Sequence, residues 1–306
     1  MTADYKLIAM IGATASGKSS LAMELAQKMG AEILSLDSMQ VYRGMEIGTA
    51  KPTAAEQARV KHHLIDVADP SETFSTARFL ELADAVIADA KVRGVPLIAV
   101  GGTPLYYKAL FEGLFEGPSA DAAVRERLMA EPNADLYARL QQVDPEAAQR
   151  IHLNDQRRLV RALEVYELTG KPITSFQSEW SSGSVRHAAT WFGLSWDREA
   201  LNRRINARVK QMVEAGWVEE TRRLLEGPAP LSMTAAEATG YAELIAHLRG
   251  KMSLDDAVEQ IKIATRQLAR RQMKWFKRFG EVTWLPGDAP LEANVSRAID
   301  QIEQKK

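Results

Sequence analysis

One glycine-rich segment offers the clearest chemistry in the chain, because its residue types and spacing suit the binding of phosphate. It follows the Gly-x-x-x-x-Gly-Lys-Ser pattern of a P-loop, and its residues are Gly12, Ala13, Thr14, Ala15, Ser16, Gly17, Lys18 and Ser19. Backbone N–H groups of such a loop surround an anion, and the N-terminus of the following helix adds partial positive charge. We expect Lys18 to reach the outer phosphates and Ser19 to hold Mg²⁺.

Two further groups of polar residues follow apolar segments that are typical of buried strands. Asp37 ends the segment 31–36, and Gly-Gly-Thr at 101–103 ends the segment 95–100. The Asp37 carboxylate suits a general base next to a bound phosphate; a helix N-cap or a magnesium-shell aspartate explains it equally well. The two glycines permit close approach by a ligand or form a tight turn. The loop 48–53 is interpreted as an ordinary surface loop.

Basic residues are concentrated in the last third of the chain. Arg204 and Arg208 share one helix face, where they either face solvent or clamp phosphates. The segment 262–279 has no acidic residue, and its predicted basic stripe contains Arg266, Arg270, Lys274 and Lys277. Such a stripe is typical of contact with a nucleic-acid backbone; packing against an acidic neighbour is the alternative. A smaller basic cluster lies at 157–161.

The elements that position these residues alternate between strands and helices in the first third. Continuous apolar runs predict parallel strands, covered on both faces, at 7–11, 31–36, 95–100, 189–194 and 282–285, with a weaker candidate at 64–67. The expected fold is α/β, a P-loop NTPase-like parallel sheet flanked by helices. Ligands bind at the carboxyl ends of such strands, so Gly12, Asp37 and Gly101 are expected to line one cleft.

The middle of the chain has helical patterns and no convincing strand, which predicts an all-helical inserted domain over 121–185. A Ser-Gly-rich break at 181–184 closes it. The P-loop catalytic core is then formed by 1–120 and 186–306. In the second part of the core, helices are expected at 198–214, 218–225, 235–248 and 254–279.

Composition limits the remaining possibilities. The chain has 306 residues, 46% of them hydrophobic, a formal net charge of −1 and no cysteine. The absence of cysteine excludes disulfides and thiolate zinc sites, and it fits a reducing cytoplasm. No signal-peptide pattern or membrane-length apolar run is present, so a soluble cytoplasmic protein is expected. His62 and His63 are adjacent, which is poor spacing for a metal site on a strand.

Together these features resemble the tRNA dimethylallyltransferases, also called tRNA isopentenyl transferases, in their bacterial form. The resemblance covers nearly the whole chain, through the segments 12–19, 35–52, 62–66, 101–106, 155–164 and 264–272. The P-loop is common to many proteins, whereas Asp-Ser-Met-Gln-Val-Tyr at 37–42, followed by Thr-Ala-Lys-Pro, is far more specific.

The resemblance implies transfer of a dimethylallyl group from dimethylallyl diphosphate to N6 of the adenine 3′-adjacent to the anticodon. The P-loop would hold the diphosphate leaving group, whose charge Lys18, the loop N–H groups, a Ser19-bound Mg²⁺ and Arg204 or Arg208 would stabilise. Asp37 matches the family's base and Thr103 its reaction channel, and Thr14 can hydrogen-bond substrate.

The same resemblance implies a set of tRNA contacts on both parts of the chain: Asp37, Ser38, Met39, Gln40, Thr103, Arg125, Arg161, Ala162, Leu163, Glu164, Val165, Arg266, Arg270 and Lys274. The Gln40 amide is suited to pair with an adenine edge. The insertion and the core are expected to grip the anticodon stem-loop between them. The protein is expected to act as a monomer, away from membranes.

Three other functions share part of this pattern. An adenylate isopentenyltransferase would use free AMP, ADP or ATP as the acceptor, but the insertion and the basic segment favour a large nucleic acid. A small-molecule kinase would place ATP at Lys18; the segment 95–100 ends in Gly-Gly and not in a Mg²⁺-binding aspartate, which disfavours it. A non-catalytic RNA-binding nucleotide switch is the third.

Overall fold

The structure, a computed structural model, describes residues 5–113, 117–180 and 185–304. The chain divides into two units, one formed by Met1–Leu110 with Ala188–Lys306 and the other by Phe111–His187. The predicted insertion 121–185 lies within the second unit, and the predicted break at 181–184 lies outside the described residues. No helix in the described part of the chain is long and apolar enough to cross a membrane.

The first unit contains one six-stranded sheet in which every neighbouring pair is parallel, as predicted. The strand order is β3-β2-β4-β1-β5-β6, and the strands are β1 (Leu7–Gly12), β2 (Glu32–Ser35), β3 (His62–His63), β4 (Leu97–Val100), β5 (Thr190–Ser195) and β6 (Thr283–Pro286). β1 and β4 are buried along their whole length, which explains why their sequences are continuously apolar. Since β2, β4 and β1 are neighbours, their carboxyl ends lie side by side.

The predicted strand at 64–67 is wrong, and the strand lies just before it. Leu64 and Asp66 have φ angles of 62° and 57°, which is left-handed backbone and cannot continue a strand. The two histidines of β3 have structural partners. His63 Nε2 is 2.7 Å from Glu32 Oε2 on β2, and His62 Nδ1 is 2.8 Å from the Val60 carbonyl.

Ten helices of the described chain belong wholly or mostly to the first unit. They are α1 (Lys18–Met29), α2 (Ala54–Arg59), α3 (Thr76–Arg93), α4 (Pro104–Glu112), α10 (Arg198–Glu214), α11 (Trp217–Leu225), α12 (Met233–Ala236), α13 (Tyr241–Leu248), α14 (Leu254–Phe276) and α15 (Leu291–Gln304). The single helix predicted at 235–248 is wrong: it is divided into α12 and α13. Gly240 between them has φ 93°, and a Cβ there would lie 2.0 Å from Trp217 Cη2.

One hydrophobic core holds α1 and α15 against the sheet. It includes Leu21 and Leu25 of α1, Val295 of α15, and Ile8 and Phe192 of the strands. α14 also contacts β1. The phosphate-binding segment and the following helix are therefore fixed to the most buried strand of the sheet.

The second unit consists of helices, and no strand occurs among its described residues. The helices are α5 (Ala122–Met129), α6 (Asn133–Val143), α7 (Pro145–Arg150), α8 (Gln156–Thr169) and α9 (Ile173–Trp180). They enclose their own core, to which Leu128, Leu136, Leu140 and Leu159 belong.

Candidate active site

The segment 12–19 forms a tight loop between β1 and α1. Gly12 has φ 157°, and a Cβ at this position would lie 2.8 Å from Ser16 Oγ. Gly17, with φ 92°, precedes the first residue of α1. These two positions require glycine because other residues rarely adopt such angles. The loop thus leads from the end of β1 directly into the N-terminus of α1, which is the arrangement of an anion site.

Arg204 and Arg208 differ in their contacts although they share a helix face. Arg204 Nε donates to the Ala15 carbonyl at 3.0 Å, and its guanidinium lies 4.5 Å from the centre of the Trp196 ring. Trp196 Nε1 itself donates to the Ser16 carbonyl at 2.9 Å. Among the described residues, Arg208 makes no hydrogen bond or ion pair. Arg204 therefore supports the loop, while Arg208 keeps its donors available.

Positive charge is in excess at this loop. Burial and the nearby charge of Arg208 together lower the pKa of Lys18 to about 8, and Asp37 partly opposes them. Burial also lowers the pKa of Arg208, again opposed by Asp37. Within the described chain, the Lys18 ammonium donates a single hydrogen bond, to the Ala13 carbonyl at 3.2 Å. Closely spaced, partly buried cations of this kind favour a bound anion.

Asp37 lies in a turn that holds one of its oxygens and leaves the other available. Oδ1 accepts from the backbone N–H of Met39 at 2.9 Å and of Gln40 at 3.4 Å. Within the described chain, Oδ2 accepts no hydrogen bond. The turn is joined to Thr103, whose Oγ1 accepts from the Ser38 N–H at 2.9 Å and donates to Ser38 Oγ at 3.1 Å. The structure thus brings Asp37, Ser38 and Thr103 together.

The two glycines of the 101–103 segment are explained by neighbouring protein atoms. A Cβ on Gly101 would lie 2.1 Å from the Leu36 backbone, and one on Gly102 would lie 2.8 Å from Gln272 Nε2 and 3.2 Å from Asp37 Oδ2. Of the two interpretations, the tight turn is the one that this geometry supports. β2 and β4 can therefore end in close contact.

Gln272 of α14 was missed by the sequence analysis as a site residue. Its side chain is buried; Oε1 accepts from the Thr14 N–H at 2.8 Å, and Nε2 donates to the Gly102 carbonyl at 2.6 Å. It thus connects the phosphate loop with the segment that follows β4. The signal in the sequence is that Gln272 is the last residue of the segment 264–272, one of those on which the resemblance rests.

The loop 48–53 is not the ordinary surface loop that was expected. Lys51 is buried, donates to the Tyr42 carbonyl at 2.8 Å, and pairs with Glu46 and Asp66. The Gln40 amide is also used inside the protein. Its Nε2 donates to the carbonyls of 49 and 50, each at 3.2 Å, and its Oε1 accepts from Ser35 Oγ at 3.0 Å. In this structure Gln40 therefore organises the loop, and its contact with a base stays a prediction.

Glu220 on α11 holds the same loop from the other side. Its buried carboxylate accepts from the N–H groups of Glu46, Ile47 and Gly48 at 2.9, 2.7 and 3.2 Å, and from Tyr241 Oη at 2.6 Å. Burial and the Glu220 charge raise the pKa of Tyr241, so this hydroxyl stays a donor. One carboxylate thus satisfies four donors.

We expect Glu220→Ala to lower the free energy of unfolding by about 1–3 kcal/mol, because buried donors lose their acceptor. Urea unfolding followed by circular dichroism measures the change. Glu219→Ala is the matched control: the Glu219 side chain is 66% exposed and, among the described residues, forms an ion pair only with Arg222, so its effect should stay within about 0.5 kcal/mol. Equal effects of the two variants would contradict the role assigned to Glu220.

In the second unit, two arginines of the predicted tRNA contacts form ion pairs with a third residue of that set, Glu164. Arg125 and Arg161 both pair with Glu164, at 2.9 and 2.6 Å. Burial raises the pKa of Glu164, but the two arginines and the Asp121 N–H outweigh it and hold that pKa below its ordinary value.

Four residues of the predicted segment 161–165 have buried side chains, namely Ala162, Leu163, Glu164 and Val165. They pack in the core of the second unit or pair within it. The contact predicted for this segment stays a prediction, and Arg161 is its one side chain that is partly exposed.

The basic segment of α14 is more exposed at its end than in its middle. Arg270, Arg271 and Lys274 are exposed. In contrast, Arg266 Nη1 donates to Asn206 Oδ1 of α10 at 2.6 Å, and Lys262 pairs with Glu259. The predicted stripe therefore presents its free charge mainly over 270–274, and Lys277 lies just past the end of the helix.

The donor set at the loop fits a magnesium ion that is held mostly by substrate and water. The described residues contain no cluster of three histidine or carboxylate side chains that could hold a metal. Mg²⁺ in phosphate sites usually keeps several waters and takes few protein ligands. The exposed Ser19 in the first turn of α1 is the residue that would supply such a ligand.

Comparison with known proteins identifies the family. The model of the family described as IPP transferase matches residues 40–279. The chain belongs to this family. The tRNA dimethylallyltransferase 1 of Citrifermentans bemidjiense is 47% identical to it over 92% of each chain. Enzymes of this family transfer a prenyl group and typically use a divalent metal ion.

Solved structures extend the similarity to the fold. The full-length tRNA isopentenylpyrophosphate transferase of Bacillus halodurans has a TM-score of 0.74 and 38% identity, over 99% of this chain and 97% of that one. A eukaryotic dimethylallyltransferase described as acting on tRNA has a TM-score of 0.80 and 28% identity, over 98% of this chain and 80% of that one. The P-loop NTPase-like fold expected from the sequence is thereby confirmed.

Proposed function

We propose that this protein transfers a dimethylallyl group from dimethylallyl diphosphate to N6 of the adenine 3′-adjacent to the anticodon of tRNA. The observation that carries the proposal is that Asp37, whose Oδ2 accepts no hydrogen bond among the described residues, lies close enough to the phosphate loop for its charge to raise the pKa of Lys18. A base and an anion site are thus close to one another. Membership of the IPP transferase family gives the chemistry that they perform.

The phosphate loop binds and stabilises the leaving group. As the allylic carbon–oxygen bond breaks, negative charge accumulates on the diphosphate. The Lys18 ammonium, the available Arg208 guanidinium and the loop N–H groups are placed to bind that charge. Their interaction with the diphosphate is stronger in the product-like transition state than in the substrate, because more negative charge has accumulated there. A Mg²⁺ ion held by Ser19 would supply further charge neutralisation when bound. Arg204 contributes by fixing the loop.

Asp37 takes the proton that the acceptor must lose. The N6 lone pair of adenine is delocalised into the ring, so N6 is a weak nucleophile. As the bond from N6 to the allylic carbon forms, one N6 proton moves to Oδ2 of Asp37 and diphosphate departs. The Met39 and Gln40 N–H groups hold Oδ1, and they thereby fix the direction of Oδ2.

The tRNA contacts are assigned to two surfaces, one on each unit. On the first unit the exposed basic face at 270–274 suits the phosphate backbone. On the helical unit, which we assign to tRNA binding, Arg125 and Arg161 supply positive charge. The target adenine must leave the anticodon stack to reach Asp37, which costs a few kcal/mol. We place the enzyme in the cytoplasm as a monomer.

We expect Arg270→Ala and Lys274→Ala each to weaken tRNA binding and to lower the slope of log K against log salt by about 0.7 to 1, because each change removes one phosphate contact. Fluorescence anisotropy of a labelled anticodon stem-loop at several salt concentrations measures both quantities. Lys28→Ala, at an exposed lysine near the end of α1, is the control of equal charge. A slope unchanged in both variants would refute the role of this face.

The experiment that tests the function is label transfer. The protein, Mg²⁺ and labelled dimethylallyl diphosphate are mixed with unmodified tRNA, or with AMP, ADP or ATP. We expect label in tRNA, at the adenine next to the anticodon. Label on a free nucleotide would instead identify an adenylate isopentenyltransferase. Label on neither, together with thermal stabilisation by ATP but not by dimethylallyl diphosphate, would favour a kinase or a switch.

A further inference from the structure

The Gln272 side chain connects the two segments that carry the reacting groups. Its Oε1 accepts from the Thr14 N–H of the phosphate loop at 2.8 Å, and its Nε2 donates to the Gly102 carbonyl at 2.6 Å. Gly102 directly precedes Thr103, which is bonded to Ser38 next to Asp37. The donor side and the base side of the site are therefore joined through a single amide.

An amide is one of the few side-chain groups that can make this connection. It accepts at one end and donates at the other in a fixed plane, whereas a carboxylate would face the Gly102 carbonyl with a second oxygen. The side chain is 4% exposed, so water does not readily replace either bond. Its Nε2 also lies near Asp37, because a Cβ on Gly102 would be 2.8 Å from Nε2 and 3.2 Å from Asp37 Oδ2.

We propose that Gln272 is a positioning residue that sets the separation between the prenyl diphosphate on the phosphate loop and the Asp37–Thr103 side where the acceptor nitrogen reacts. This inference rests on the proposed function. The Thr14 N–H is used by Gln272, so this N–H orients the loop within the protein. Gln272 acts through Thr14 and Gly102, and no contact with substrate is assigned to it.

Because Gln272 lies on α14, the alignment of the reacting groups is linked to RNA binding. The same helix presents Arg270, Arg271 and Lys274 at its surface. One rigid element therefore bears the face proposed to bind the tRNA backbone and the amide that aligns the site. A shift of this helix would change both.

The test compares two substitutions that disturb the amide from opposite sides. Gln272→Met keeps the length of the side chain and removes both hydrogen bonds. Gly102→Ala keeps the glutamine and displaces its Nε2, but its Cβ also crowds Asp37 Oδ2, so Gln272→Met is the decisive variant. With excess enzyme and saturating substrates, we expect each variant to lower the single-turnover rate constant by about 10- to 100-fold, since a displacement of about 1 Å can have that effect. The affinity for inorganic diphosphate, measured by calorimetry, should change less than threefold.

Gln260→Met is the matched control, because Gln260 is an exposed glutamine on the same helix, and it should react like wild type. A single-turnover rate constant of Gln272→Met within twofold of wild type would overturn the inference. It would also be overturned if only the reaction amplitude and the melting temperature fell, since that would show a purely structural role. If wild type itself transfers no label to tRNA, the proposed function fails, which is a distinct result.

Discussion

Replacing Asp37 by asparagine should lower the single-turnover rate of dimethylallyl transfer to tRNA by roughly 10²- to 10⁴-fold, the range typical of loss of a general base. Asparagine retains an oxygen that can accept from the Met39 and Gln40 N–H groups, so the turn should persist. What is lost is a group that can take the N6 proton. Rapid-quench measurement with labelled dimethylallyl diphosphate gives the rate directly.

Binding should survive this change. We expect the affinity of Asp37→Asn for an anticodon stem-loop to stay within about threefold of wild type, and its affinity for diphosphate to rise slightly, because a negative charge near Lys18 is removed. Asp288→Asn, at an exposed turn after β6, is the control. Normal turnover in Asp37→Asn would exclude Asp37 as the base.

Lys18→Met should lower the same rate by roughly 10²- to 10³-fold, which is the usual effect of losing one preorganised donor to developing charge. Methionine has a similar length, so the loop should keep its shape. Lys28→Met is the control of the same type and is expected to behave like wild type. A loss below about threefold in Lys18→Met would contradict the assignment of the leaving group to this loop.

The depressed pKa of Lys18 makes diphosphate binding depend on pH in a defined direction. In the free protein that pKa is about 8, and a bound anion raises it because it favours the charged ammonium. Above about pH 8 binding therefore takes up a proton, and affinity falls by up to about tenfold per pH unit. Calorimetry of inorganic diphosphate from pH 7 to 9.5 measures this slope. The protonation of diphosphate itself contributes equally to the binding of wild type and of Lys18→Met, so the comparison removes that contribution. Lys18→Met should lack the part of the slope that Lys18 adds.

The sheet and the phosphate loop could be predicted from sequence because their signals are local. Burial on both faces makes parallel strands continuously apolar, and the loop needs glycine where φ is positive, as at Gly17. Asp37 and 101–103 could then be placed together, since parallel strands deliver their carboxyl ends to one edge.

The parts that escaped prediction depend on contacts between distant residues. Nothing near Gln272 or Glu220 in the sequence shows that either is bonded to a loop at the other end of the chain. The strand predicted at 64–67 failed because the backbone of Leu64 and Asp66 is left-handed, although its residues are apolar enough for a strand. The loop at 48–53 was misjudged because the partners of Lys51, the Tyr42 carbonyl and the carboxylates of Glu46 and Asp66, are not marked in the sequence.

The connection from Gln272 to Thr14 spans 258 positions of the chain, and that from Glu220 to the 46–48 backbone spans more than 170. The phosphate loop and Asp37 are synthesised early, but the residues that hold them in place leave the ribosome near the end. A nascent chain that ends before α14 carries every reacting group without their alignment. Incomplete copies of this protein should therefore transfer the prenyl group slowly.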